Sequence, residues 1–103
     1  MQDPATYTEA FDREHGFTPE QWLDGLRGAV AAAALDIEVN AGRACVHIGA
    51  GMLELQWTAL PPRRIALVQL PRLAVSYRFR GVAHAQRAAF MRHFDLVMLR
   101  GGG

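Results

Sequence analysis

From Arg72 to Arg80 large apolar side chains recur at every second position, Leu73, Val75, Tyr77 and Phe79 against Arg72, Ala74, Ser76, Arg78 and Arg80. A period of two is that of a strand with one buried and one wet face. The same period runs through Leu53, Leu55, Trp57 and Ala59 against Glu54, Gln56 and Thr58, and through Ala44, Val46 and Ile48 against Cys45 and His47. Leu35, Ile37 and Val39 alternate with Asp36, Glu38 and Asn40, a strand unless the preceding helix runs on through it. Asn40-Ala41-Gly42 and Gly49-Ala50-Gly51 supply turns between these runs. Leu60-Pro61-Pro62 reads as a connection, because proline cannot donate to a central ladder. Residues 64–70 are apolar on both sides, Ile65 and Leu67 on one and Ala66, Val68 and Leu70 on the other. That predicts a strand lying centrally or covered on its second face, with Pro71 interrupting the ladder before the last strand.

Two segments carry helical periodicity. Phe17-Thr18-Pro19-Glu20-Gln21-Trp22 holds a helix start: Thr18 as N-cap, Pro19 at the first position, Gln21 closing a capping box, and Phe17 with Trp22 as a hydrophobic staple. Trp22, Leu23, Leu26, Val30 and Ala33 recur at spacings of three and four, so this helix is expected from Pro19 to about Ala33. Beyond Gly81, Phe90, Phe94 and Val97 or Met98 give a second amphipathic helix that starts near Ala83 and ends about Leu99. Residues 1–16 lack sustained periodicity and read as a semi-ordered arm, with Tyr7 and Phe11 forming a turn of helix that docks by its rings. Residues 100–103 read as a flexible tail.

These elements define one α+β domain over residues 1–103: an antiparallel meander of four or five strands, with an N-terminal and a C-terminal helix packed on one face in two layers. Half the residues are apolar and 20% are charged, an ordinary globular balance. The longest apolar run, Ala29 to Leu35, is far short of the ~18 to 20 residues that cross a bilayer. Asp3, Glu9, Asp12 and Glu14 take the place of a secretory leader, and Cys45, as the single cysteine, has no disulfide partner within the chain. A cytoplasmic location is therefore expected. All eleven basic residues are arginine, a bias expected of a GC-rich, bacterial genome.

Candidate chemistry is sparse. Ser76 is the only serine and lies on the arginine-bearing strand face, without the turn that lifts a nucleophile. Cys45 and His47 point to the same side of one strand, but catalysis needs a partner that lowers the thiol pKa and a third, orienting group. His84 and His93 fall on opposite faces of the last helix, and His15 lies far from both, so no metal site is expected. Gly49-Ala50-Gly51 lacks the third glycine and the helix of a phosphate loop, and no cofactor is expected.

The C-terminus, Leu99-Arg100-Gly101-Gly102-Gly103, resembles the diglycine tail of ubiquitin-like proteins and sulfur carriers. The resemblance covers five residues and implies a terminal glycine activated as an adenylate. In those families the tail follows the last strand of a β-grasp fold, whereas here it follows a helix and ends in three glycines.

Charge is distributed unevenly: residues 1–62 carry nine acids and three arginines, while residues 63–103 carry eight arginines and only Asp95. Arg72, Arg78 and Arg80 share one strand face, and Arg87, Arg92 and Arg100 follow on the last helix. A bare face of this kind attracts anions: an acidic protein, an anionic ligand, or the acidic half of a second copy in a homodimer. Nucleic acid is disfavoured, because Tyr77 and Phe79 point inward and leave no aromatic between the arginines. Alternatively Glu54, Asp36 and Glu38 pair with these arginines across the sheet. The expectation is a small non-enzymatic binding or assembly module working through Arg72, Arg78, Arg80, Arg87 and Arg92. A carrier acting through the tail, or a small enzyme acting through Cys45 and His47, is the alternative.

Overall fold

The computed structural model describes residues 7–101. Strand β1 (Ala10–His15) is followed by helix α1 (Pro19–Ala29), strands β2 (Leu35–Glu38), β3 (Arg43–Ile48), β4 (Gly51–Ile65) and β5 (Val68–Arg80), and helix α2 (His84–Gly101). The five strands form one antiparallel sheet in the order β1-β5-β4-β3-β2. The fold is a two-layer α+β arrangement: β2 to β5 form the expected meander, and β1 joins it from the far end of the chain.

The first strand corrects the reading of residues 7–16. In place of a helical turn around Tyr7 and Phe11, Ala10–His15 pairs along β5 from Ala10 opposite Arg78 to His15 opposite Leu73. Its inward positions are Phe11, Arg13 and His15, so the strand alternates properly while two of its three inward residues are polar. Residues 1–6 lie outside the described residues.

Helix α1 begins as its sequence requires. The Gln21 N–H donates to Thr18 Oγ1 at 3.1 Å, and the Thr18 N–H donates to Gln21 Oε1 at 2.9 Å. The helix ends at Ala29, earlier than expected, because Val30 turns to extended backbone while its N–H still donates to Leu26. A short 3-10 turn at Ala32–Ala34 then leads into β2, and a second at Val39–Ala41 leads out of it. Gly42 closes that second turn at φ +64°, where a Cβ would stand 2.8 Å from the Trp57 carbonyl oxygen, so glycine suits both conformation and space. At Gly25 a Cβ would meet Met98 Sδ at 2.5 Å, which is how α1 and α2 come close side by side.

Between helices and sheet lies one apolar core of Trp22, Leu26, Val46, Leu53, Leu55, Leu73, Val75, Tyr77, Phe94 and their neighbours. Its centre is aromatic: Trp22 meets Trp57, Tyr77 and Phe94 at centroid distances of 5.8, 6.5 and 5.9 Å, and Phe11 stacks on Tyr77 at 4.7 Å. Edge-to-face and offset arrangements of this kind add about 0.5–1.5 kcal/mol per pair beyond burial. The Trp22 indole N–H finds no hydrogen-bond acceptor there.

Two expectations for residues 60–71 are overturned. Leu60-Pro61-Pro62 is not a connection between strands; β4 runs through it, with a register shift between Leu60 and Arg63. Nor are residues 64–70 central or covered, for the two-residue turn Ala66-Leu67 reverses the chain and every residue from 61 to 70 is exposed. The physical reason is that β4 loses its β3 neighbour after Gln56, and β5 has its β1 neighbour only from Leu73 onward. Residues 60–72 are a two-stranded arm, and prolines at a bulge in a ribbon without outer neighbours cost no central hydrogen bonds.

Candidate functional site

The sheet face opposite the helices carries no covering element among the described residues. Rows of side chains cross it: Glu38, Arg43, Gln56, Ser76 and Asp12 in one, and Asp36, Cys45, Glu54 and Arg78 in the next. Read strand by strand, the charge alternates. Asp12 and Glu14 on β1 are acidic, Arg72, Arg78 and Arg80 on β5 basic, Glu54 on β4 acidic, Arg43 with His47 on β3 basic, and Asp36 with Glu38 on β2 acidic.

The arginines of this face are engaged. Arg72 makes a bidentate pair with Glu14 at 2.8 and 3.1 Å, Arg78 reaches Asp12 at 3.1 Å and the Phe11 carbonyl at 3.1 Å, and Arg80 meets Glu54 at 2.6 Å. Arg43 pairs with Glu38 at 3.2 Å and His47 with Asp36 at 3.0 Å. Most of these pairs run diagonally between neighbouring strands, within reach of a long side chain. The hydrogen bond from Arg72 holds the Glu14 carboxyl below its usual range. Of the pairings expected within the sheet, Glu54 with arginine is present, whereas Asp36 and Glu38 serve β3 and the acids serving Arg72 and Arg78 come from β1.

Arg87 and Arg92 do not join this face, since both lie on α2 in the helix layer. Arg87 donates to the Tyr7 and Val82 carbonyls at 3.1 and 2.6 Å and so ties the N-terminal segment to the entry of α2; Arg92 is exposed. The Arg100 side chain and the glycines at 102 and 103 lie outside the described residues, and Gly101 ends α2.

A depression of about 500 Å³ runs across β2 to β5, with Arg43, Cys45, Glu54, Ser76, Arg78 and Arg80 among its lining residues. Cys45 sits within it, but its thiol donates toward Met52 Sδ at 3.6 Å while His47 is turned to Asp36. Burial, then the carboxylates of Asp36 and Glu54, push the thiol pKa up, the opposite of what a nucleophilic or metal-binding sulfur needs. Ser76 lies between Gln56 and Asp12, and the Asp12 carboxylate is taken up by Arg78. Among the described residues no group of three or more His, Cys, Asp and Glu could hold a metal ion, and no helix is long and apolar enough to cross a membrane.

A second polar cluster bridges sheet and helix layer. Arg13 forms a bidentate pair with Asp95 at 2.7 and 3.3 Å, the Tyr7 hydroxyl donates to the same carboxylate at 3.3 Å, and the Arg13 guanidinium lies 5.2 and 5.4 Å from the Phe11 and Tyr77 rings. His15 shares a 2.8 Å hydrogen bond with the Tyr77 hydroxyl and stacks on Phe17 and Trp22. Burial lowers the His15 pKa and raises that of Tyr77, so both are neutral near pH 7. Every polar atom named here answers another within the protein, which makes the cluster a clasp joining β1, β5 and α2.

The arm is different in kind. Register places Ile65 opposite Val68 and Arg63 opposite Leu70, which puts Arg63, Ile65, Val68 and Leu70 on one face and Arg64 with Gln69 on the other. Exposure is 55% at Ile65, 101% at Leu67, 55% at Val68 and 41% at Leu70. Sequence reasoning named these residues but assigned them to a buried strand. Their strength as a signal lay in forming an apolar run between two proline sites.

The chain was compared with protein-family models, with curated proteins and with solved structures, and matches none of them.

Proposed function

We propose that this chain is a small non-enzymatic assembly module that associates through the arm formed by residues 60–72. The observation that carries the reading is the set of four large apolar side chains left bare at its tip, Ile65, Leu67, Val68 and Leu70. Contiguous apolar surface of this kind marks interaction sites on folded proteins, and a bare ribbon end has no structural reason to be apolar. Arg63 and Arg64 behind the tip favour an acidic contact. The arginine-bearing sheet face is the weaker candidate, because Arg72, Arg78 and Arg80 already meet carboxylates that an anionic ligand would have to displace.

Solution mass measured by light scattering over a concentration series, at low and high salt, tests the reading. The 11.4 kDa chain is expected to form a concentration-dependent oligomer. Leu67→Glu should weaken it by about 10- to 100-fold, the equivalent of the roughly 1.5–3 kcal/mol that burying a leucine contributes. A monomer at every concentration and salt overturns the proposal.

A further inference from the structure

Resting on the assembly reading, we infer where the arm docks: along the free edge of β2 on a second copy of this chain, reciprocally, so that two arms are exchanged in a closed dimer. The receiving surface is an apolar groove of about 300 Å³ lined by Val30, Ala32, Leu35 and Ile37, with Arg27 at its side. It lies on the helix side of β2, one of the two edge strands of the sheet.

Two complementarities match arm to edge. Leu35 and Ile37 of β2 face the helix layer, while Asp36 and Glu38 face the open side of the sheet. The arm resembles this division, with Ile65, Val68 and Leu70 on one face, Arg63 at the base of that same face, and Arg64 with Gln69 on the other. Laid alongside β2, it sets Ile65, Val68 and Leu70 against Leu35 and Ile37, and brings Arg64 beside Asp36 and Glu38, whose carboxylates it shares with His47 and Arg43. In overall charge, residues 61–72 carry three arginines and no acid, whereas residues 19–42 carry four acids and one arginine.

Position and reach allow the exchange. The Trp57 N–H donates to the Gly42 carbonyl at 2.8 Å, so the arm leaves the body beside the turn that ends β2. Two copies facing each other at that end pass their arms in opposite directions, each along the other's β2, and the two-fold closes the assembly. At about 3.3 Å per residue the stretch from Leu60 to Ile65 reaches roughly 20 Å, and β2 is about 13 Å long. Pro61, Pro62 and Pro71 remove N–H donors from the base of the arm, which leaves contact to its tip.

Cross-linking separates this geometry from its rivals. In a Cys45→Ala background, one preparation carries Leu67→Cys and another Ala32→Cys; the two are mixed and mildly oxidised with oxidised glutathione. Disulfides between the Leu67→Cys and Ala32→Cys chains, formed faster than bridges within either preparation, are the expected result. An oligomer that bridges only Leu67→Cys to itself overturns the groove and leaves assembly through the arm standing. A monomer by light scattering that forms no bridges overturns both. A monomer that sediments with phosphatidylserine-containing vesicles only while Leu67 is intact also overturns both, and reassigns the tip to lipid.

Discussion

Strands β4 and β5 make one continuous hairpin, yet its two halves live in different surroundings. In the lower half, Leu53, Leu55 and Leu73 are fully buried between the sheet and two helices, and β3 and β1 flank the ladder. In the upper half, residues 60–72 have neither flanking strands nor a covering helix, and Leu67 is fully exposed. Hydrophobicity is similar in both. What differs is whether the rest of the chain supplies a partner, so an apolar strand residue stabilises this protein in one half and waits for something to bind in the other.

The sharpest way to break that contrast is to truncate one large side chain in the helix layer that covers the lower half and one at the tip of the upper half. Phe94→Ala should destabilise the fold by about 3–5 kcal/mol, since Phe94 is fully buried against Trp22, Tyr77 and Phe90. Leu67→Ser should change unfolding of the dilute protein by less than about 0.5 kcal/mol, as for any bare surface residue. Urea unfolding midpoints at low protein concentration measure both, and a large loss from Leu67→Ser would mean that the arm is packed.

A smaller effect separates the clasp on the helix side from the ion pairs on the open side. Asp95 serves both Arg13 and the Tyr7 hydroxyl beside two aromatic rings, and Asp95→Asn should cost about 1–3 kcal/mol. Glu54→Gln, which unpairs the solvent-facing Arg80, should cost about 0–1 kcal/mol and less still in high salt. Equal costs from the two substitutions, read by thermal unfolding at two ionic strengths, would erase the distinction between the faces.

The same contrast explains what could be read from the residues alone. The start of α1 and the alternation of β5 were legible because local rules determine them: the Thr18 and Gln21 cap, and a core row of Leu73, Val75, Tyr77 and Phe79. Strand β1 was not, because its inward positions are Phe11, Arg13 and His15, and a polar residue reads as inward only once Asp95 and Tyr77 are known to meet it. Missing β1 hid Asp12 and Glu14, so acids for Arg72 and Arg78 were expected on β2 and β4 when they lie about sixty residues away in sequence, and only Arg80 meets the expected Glu54. The arm misled for the opposite reason. Its residues have every property of a covered strand, and only the loss of β3 after Gln56 and of β1 before Leu73 shows that nothing covers them.

The finest test asks whether the arm folds with the body or by itself. Ala66, first of the two turn residues between Ile65 and Val68, sits at φ +54°, a left-handed conformation that costs a residue with a Cβ about 1–2 kcal/mol. Ala66→Gly removes that cost and adds about 0.5–1 kcal/mol of unfolded-chain entropy, leaving a net gain near 0.5–1 kcal/mol. Where that gain is felt depends on cooperativity. If the ladder from Arg63 to Leu70 opens alone, amide exchange there should slow by about two- to five-fold while the global midpoint stays fixed, because the body never depended on the arm. If arm and body open together, the midpoint itself rises and exchange slows throughout the sheet. The first outcome is expected, because a ribbon joined to the body only along its own two strands has few contacts through which to transmit its stability.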